Sequence, residues 1–233
     1  MSIPYNKNPE ETMYLVTKEL VERACRLSKK KKRNILIHKS SADKGVNVLD
    51  INPATIRGKA EFDKFLNPVK RHYTISGLGL PEEKNAINWR VLNFPWHKRL
   101  ILGLNMFISL FKRGLPSKSR YLRKMGVHVG NNSEIMQFVW LDHFRPELIF
   151  IGDNTLIGAF TRISVHSYDG QGKFGYAITE IGSNCLIGAG SLLGCIHIED
   201  NVRVLPNTVL SPYFARIKSG SVVGWDPPAI KKH

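Results

Sequence analysis

His166 is the residue in this chain whose type and placement most directly suggest chemistry. It follows Ile151, Ile157 and Ile163, which stand six residues apart in "IGDNTLIGAFTRISVHSYDGQG". An imidazole exchanges a proton near neutral pH, so a histidine held by a rigid frame can act as a general base. The plain alternative is an exposed loop histidine that happens to follow the repeat. What decides between them is the element that positions it.

That element is written as a period. One aliphatic residue recurs every six positions at Val129, Ile135 and Leu141, at Ile151, Ile157 and Ile163, at Ile181, Ile187 and Leu193, and at Ile198, Val204 and Leu210. Glycine often follows the aliphatic (Gly130, Gly152, Gly158, Gly182, Gly188, Gly194), and asparagine often stands three after it (Asn132, Asn154, Asn184, Asn201, Asn207). Four after it the residue is small or β-branched, as at Ser133, Thr155, Cys185 and Ser191. This pattern predicts a triangular parallel coil. The aliphatic points into a narrow interior, Asn and Gly take the left-handed corners, and a small side chain fills the second inward position. Three hexads make one turn, which gives about four turns. Four extra residues around "HFRPEL" interrupt the series before Ile151, a Gly-rich excursion "DGQGKFGYAIT" leaves it after Ile163, and one residue is missing before Ile198. A loop extruded from a regular solenoid is where function is expected.

Charge divides the 233-residue chain near the start of the repeat. Residues 1–126 hold 26 Lys and Arg against 10 Asp and Glu, and the remainder 8 against 9, so the net +15 is N-terminal. Such a half suits a polyanionic partner or is simply a solvated face. Cys25, Cys185 and Cys195 form no CxxC pair, and no apolar leader opens the sequence, so a reducing, cytoplasmic setting is expected. Cys185 reads as a small inward residue, and both it and Cys195 as structural.

Before the coil, "NPEETMYLVTKELVERACRL" predicts a helix capped by Asn8, with Pro9 at its first position and a stripe of Met13, Val16, Leu20, Ala24 and Leu27. Its basic end, Lys29 to Arg33, suits either phosphates or the helix dipole. Residues 95–113, "PWHKRLILGLNMFISLFKR", are apolar with cations at both ends, too short to span a bilayer. They either lie in a membrane interface, with Trp96 and Phe107 as anchors, or pack on the protein or on a neighbouring subunit. "SKSRYLRKMG" predicts a further short helix ended by Gly126. The expected division is a basic, partly helical region over 1–92, a helical connector over 93–126, and a coil over 127–233 with its loop at 169–180.

"IGDNTLIGAF", "IGSNCLIGAGSLL" and "GSVVGWDPPA" resemble the hexapeptide-repeat acyltransferase superfamily, in particular its sugar and polysaccharide O-acetyltransferase branch. The resemblance runs over about residues 95–233 and does not reach 1–92. It implies a mainly β fold, a left-handed parallel β-helix preceded by a mostly α N-terminal region. It also implies a homotrimer with sites between coils, acetyl-CoA as co-substrate and no metal. By resemblance His166 is the base, Asp142 and Tyr168 hold the acceptor, and Asp142 could instead orient His166. Ala189 offers its N–H to the thioester end, Pro206 and Ser211 line the pantetheine arm, and Lys231 and Lys232 meet the CoA phosphates. The chain departs from the family at "VVGWDPPAI" and lacks a Thr-Lys pair in "SPYFARIKSGS". The acceptor would be a hydroxyl or amine of a sugar, glycan or small molecule, with peripheral membrane contact open and nucleic acid not expected. Zinc carbonic anhydrases share the coil, but His128, His143 and His197 lack their spacing around His166. The other reading is a non-catalytic trimeric scaffold that binds a membrane or polyanion through its basic half.

Overall fold

A computed structural model describes residues 8–31, 35–39, 47–51, 63–67, 71–76, 95–112, 117–168, 174–210 and 216–224. The N-terminal part begins with α1 (Pro9–Lys31), then β1 (Ile35–Lys39), β2 (Asn47–Ile51), a short helical segment at 63–66 and β3 (His72–Ser76). Two helices follow, α2 (Trp96–Phe111) and α3 (Ser117–Met125). Asn8 caps α1 as expected, its Oδ1 accepting the Glu11 N–H at 2.7 Å. Met13, Val16, Leu20 and Ala24 are buried, while the Leu27 side chain lies outside the described residues. Gly126 ends α3 at φ 104.

The hexads then wind a left-handed β-helix with three parallel faces. The first face stacks β4 (His128–Val129), β7 (Ile149–Ile151), β12 (Thr179–Ile181), β15 (His197–Ile198) and β18 (Arg216–Ile217). The second stacks β5 (Glu134–Ile135), β8 (Leu156–Ile157), β13 (Leu186–Ile187), β16 (Arg203–Val204) and β19 (Val222–Val223). The third stacks β6 (Trp140–Leu141), β9 (Arg162–Ser164), β14 (Leu192–Gly194) and β17 (Val209–Leu210). Every hexad aliphatic sits in register with its equivalent one turn away, as Ile135 with Ile157 and Ile157 with Ile187. Each column is therefore a stack of like side chains, worth ~1.5–3 kcal/mol per buried residue. Ile217 and Val223 carry the series into a fifth turn beyond Leu210.

The five expected asparagines all adopt left-handed backbone, from φ 53 at Asn154 to φ 59 at Asn201. The glycines after the aliphatics have a different reason from the one the pattern suggested. None of them has positive φ; a Cβ on Gly188 would stand 2.3 Å from Pro206 N, and one on Gly152 would stand 2.6 Å from Gly182 C. Close approach of successive turns selects glycine at Gly130, Gly152, Gly158, Gly182 and Gly188 but not at Gly194, where a Cβ would meet nothing within 4 Å. Left-handed corner backbone selects it at Gly190 and, in the fifth turn, at Gly220. Where one residue is missing before Ile198, Cys195 takes φ 53 to turn the shortened corner.

A coil of stacked strands leaves open backbone groups at its ends, which invite unwanted pairing. Here α3 covers the first turn. Arg123 donates to the carbonyls of Val129 and Gly130 at 2.8 and 2.7 Å, Ser119 Oγ donates to Ser133 O at 2.9 Å, and the buried Lys118 donates to Met136 O.

At Ser164 the chain leaves the prism. β10 (His166–Tyr168) and β11 (Phe174–Ala177) form a hairpin, and β11 pairs with β3, which pairs with β1 and β1 with β2, all antiparallel. The N-terminal region thus contributes strands as well as helices, and its sheet grows from the coil's own excursion. Phe174, Tyr176 and Tyr73 are buried within it, and α1 lies against β1, β2 and a 3-10 turn at Pro146–Leu148.

Candidate active site

His166 is the first residue of β10, where the coil hands over to the antiparallel sheet. Asp142 lies directly beneath this exit. It follows Leu141, which is registered with Ile163 one turn later, so the step between turns brings the Asp142 carboxylate under the chain at Ser164 and Val165. The Val165 N–H donates to Oδ2 at 3.0 Å and the Phe144 N–H to Oδ1 at 2.9 Å. His166 Nδ1 completes the set with a hydrogen bond to Asp142 Oδ2.

Asp142's side chain is 2% exposed. Burial pushes its carboxyl up, but the hydrogen bond and charge of His166 and the two backbone N–H groups outweigh burial, so it lies below its ordinary value. An ionised carboxylate only accepts hydrogen bonds, so Nδ1 carries the imidazole proton. In the neutral form of the ring the lone pair then sits on Nε2, and the side chain is 29% exposed. Phe144 meets this ring edge-on at 5.1 Å and Phe174 stacks on it at 5.6 Å. A fixed tautomer, a fixed ring plane and a partly exposed ring are the features that general-base chemistry requires.

A second histidine–carboxylate pair, His197 Nδ1 and Glu180 Oε2 at 2.7 Å, lies on the coil's first face. It differs in kind. Glu180 is a quarter exposed and is also bonded to Arg71, so the pair belongs to a surface ion network.

Of the other residues singled out in the sequence, Tyr168 lies on β10 in register with Phe174. Ala189 and Pro206 occupy exposed corners between the second and third faces. Gly188 and Gly190 donate to Val204 O and Ala159 O, and among the described residues the Ala189 N–H has no such bond. Ala189 precedes β14, whereas His166 follows β9, so the width of the third face separates them within one chain. Ser211, Lys231 and Lys232 lie outside the described residues.

Several residues near His166 were not singled out in the sequence as its neighbours. Arg145 is fully buried and bonds Glu19 of α1 at 2.9 Å and Glu147 at 3.1 Å, with Tyr176 5.7 Å from its guanidinium. This network clamps α1 and β11 onto the turn that carries Asp142. His143 packs against Phe144 at 4.4 Å, and burial lowers its pKa. "HFRPEL" marked this excursion, but Glu19 and Tyr176 sit in other segments and leave no local signal.

Comparison with known proteins finds the same repeat. The family model described as "hexapeptide repeat of succinyl-transferase" matches residues 178–212. A Staphylococcus aureus (strain MSSA476) protein named an acetyltransferase is 38% identical over 127 residues, covering 53% of this chain and 78% of that protein. Another such protein from strain MRSA252 is 40% identical over 111 residues, covering 46% and 69%. A hexapeptide-repeat acetyltransferase structure from Vibrio cholerae aligns with a TM-score of 0.45 at 18% identity, covering 56% of this chain and 87% of that one. With the repeat, the coil and a relative matched over most of its length, the chain belongs to the hexapeptide-repeat acyltransferase superfamily.

Proposed function

We propose that this protein transfers an acyl group, acetyl in the first instance, from coenzyme A to a hydroxyl or amine of a sugar, glycan or small molecule. The observation that carries the reading is the His166–Asp142 pair. Its carboxylate is buried and held by two backbone N–H groups, and it leaves one imidazole nitrogen free to take a proton.

The acceptor hydroxyl or amine gives its proton to His166 Nε2 as its heteroatom attacks the thioester carbonyl. The C–S bond then breaks, and the imidazolium returns the proton to the leaving thiolate. Asp142 does not exchange protons; it holds the tautomer and offsets the imidazolium charge. The unbonded Ala189 N–H is suited to the oxyanion. Because Ala189 stands across the third face from its own chain's His166, a complete site requires the corner of a neighbouring copy, which supports a homotrimer. Cys185 and Cys195 are buried, and burial raises both thiols, Cys195 to about 12, so neither serves as a nucleophile. Pro206, Ser211, Lys231 and Lys232 remain the proposed donor contacts, and three cysteines with no CxxC pair suit the proposed reducing, cytoplasmic setting.

The test is acetyl-CoA binding by calorimetry, with thiol release measured on wild type and His166→Ala. Both proteins are expected to bind, and only wild type to release thiol. Failure of both to bind would favour a scaffold.

A further inference from the structure

The outward side of α2 is unlike that of a helix resting on a water-soluble protein, where the side away from the core is polar. Met106 and Ser109 face inward. At about 100° per residue, Trp96, Leu100, Leu104, Phe107, Ile108 and Phe111 fall on the opposite side. Each of them is exposed, from 42% at Ile108 to 69% at Trp96. Lys98 and Arg99 fall on the inward side with Met106 and Ser109 and are only partly exposed.

The apolar surface continues onto the coil. Phe107 and Phe111 are 5.3 Å apart, Phe111 and Phe138 5.7 Å, and Phe138 and Phe160 stack at 5.1 Å. The Phe138 N–H donates to Leu110 O at 3.0 Å, which ties helix and coil into one surface. Phe138 and Phe160 occupy left-handed corners at φ 59 and 63, in a column that continues with Gly190 and Asn207. A bulky residue there costs ~1–2 kcal/mol, and Phe160 is 63% exposed. Folding alone therefore does not account for these rings.

Charge identifies what covers the patch. Residues 95–126 contain eight Lys and Arg and no Asp or Glu. Arg120 and Lys124 are exposed on α3, and Lys112 follows the end of α2. A two-fold pair of copies meeting face to face through this surface would oppose the exposed Arg120 and Lys124 to their own kind, with no acid in the segment to offset them. A contact with a different face of a neighbouring copy is separated from lipid by the oligomeric-state measurement below. α2 is ~24 Å long, short of a ~30 Å hydrocarbon core, and no described helix is long and apolar enough to cross a membrane.

We propose that α2, with Phe138 and Phe160, is a docking surface for an anionic lipid bilayer. The helix lies in the plane of the interface, its apolar stripe enters the acyl boundary, and the flanking cations meet the headgroups. The inference is independent of the acyl-transfer reading.

The full chain is sedimented with phosphatidylcholine vesicles, with and without phosphatidylserine, at low and high salt, and its oligomeric state is measured by analytical ultracentrifugation. Wild type is expected to bind the phosphatidylserine vesicles and to lose binding as salt rises. Leu104→Glu with Phe107→Glu, both at exposed positions, is expected to lower bound protein at least ~10-fold at unchanged oligomeric state. Lys112→Glu with Lys124→Glu is expected to weaken binding at low salt, and it carries the test should the first variant misfold. Wild type that ignores anionic vesicles, full binding by either folded variant, or dissociation of the Leu104/Phe107 variant into smaller assemblies would overturn the proposal. Dissociation would assign the face to a subunit contact.

Discussion

Ile157 in the coil has Ile135 on one side and Ile187 on the other, each one turn away and of nearly the same shape. Tyr176 in the antiparallel sheet pairs with His166 on one side and with Tyr73, from the other half of the chain, on the other. The two β-structures meet at His166, and they are specified differently. The coil repeats one local rule, so each turn is a template for the next. The sheet depends on pairings between distant segments, each with its own register. His166 thus stands on a frame that is regular on one side and particular to this chain on the other.

The largest effect should come from breaking the coil's rule at a point of backbone contact. Gly188→Val would place a Cβ 2.3 Å from Pro206 N and 2.5 Å from Leu205 C, neither of which can yield as a flexible side chain would. The expected destabilisation exceeds ~5 kcal/mol, enough to remove the folded coil, as read by circular dichroism and solubility.

The clamp between the two structures comes next. Arg145→Met removes a fully buried cation and leaves the nearly buried Glu147 without its guanidinium partner, while Glu19 keeps its pair with Arg23. Denaturant unfolding should show a loss of ~3–5 kcal/mol. A loss under ~1 kcal/mol would mean that α1 and β11 do not depend on this network.

A smaller effect should appear with pH on the sheet side. His72 on β3 is buried, and burial lowers its pKa from 6.5 to about 4. Between those values the unfolded chain takes up a proton that the folded chain refuses. Stability therefore falls as pH drops from 6.5 towards 4 and is unaffected by this group above 6.5, a loss of up to ~3 kcal/mol. His72→Gln should flatten that limb of the stability–pH curve while leaving neutral stability within ~1 kcal/mol.

The same contrast explains what was legible in the sequence. The aliphatic columns, the left-handed asparagines and the helices were readable because each is a periodic or capping signal within a few residues. The reason for the post-aliphatic glycines was not, because contact with the next turn does not show in spacing. β1 to β3 were not readable either; short apolar runs among Gly and Pro acquire a register only when β11 supplies the edge. At the site, His166 was visible from its place after the hexads, and Asp142 as a residue that could orient it. Phe144, Phe174 and the Arg145–Glu19 pair were invisible, since what brings them to the base is the joining of sheet and coil.

In the proposed reaction His166, held by Asp142, takes the acceptor proton. The most direct measurement is acceptor-dependent thiol release from acetyl-CoA by wild type, Asp142→Asn and His166→Ala at equal donor saturation. We expect His166→Ala to lose ~10³-fold and Asp142→Asn ~10²-fold in turnover, with donor binding unchanged. Turnover by His166→Ala within a few-fold of wild type would contradict the account.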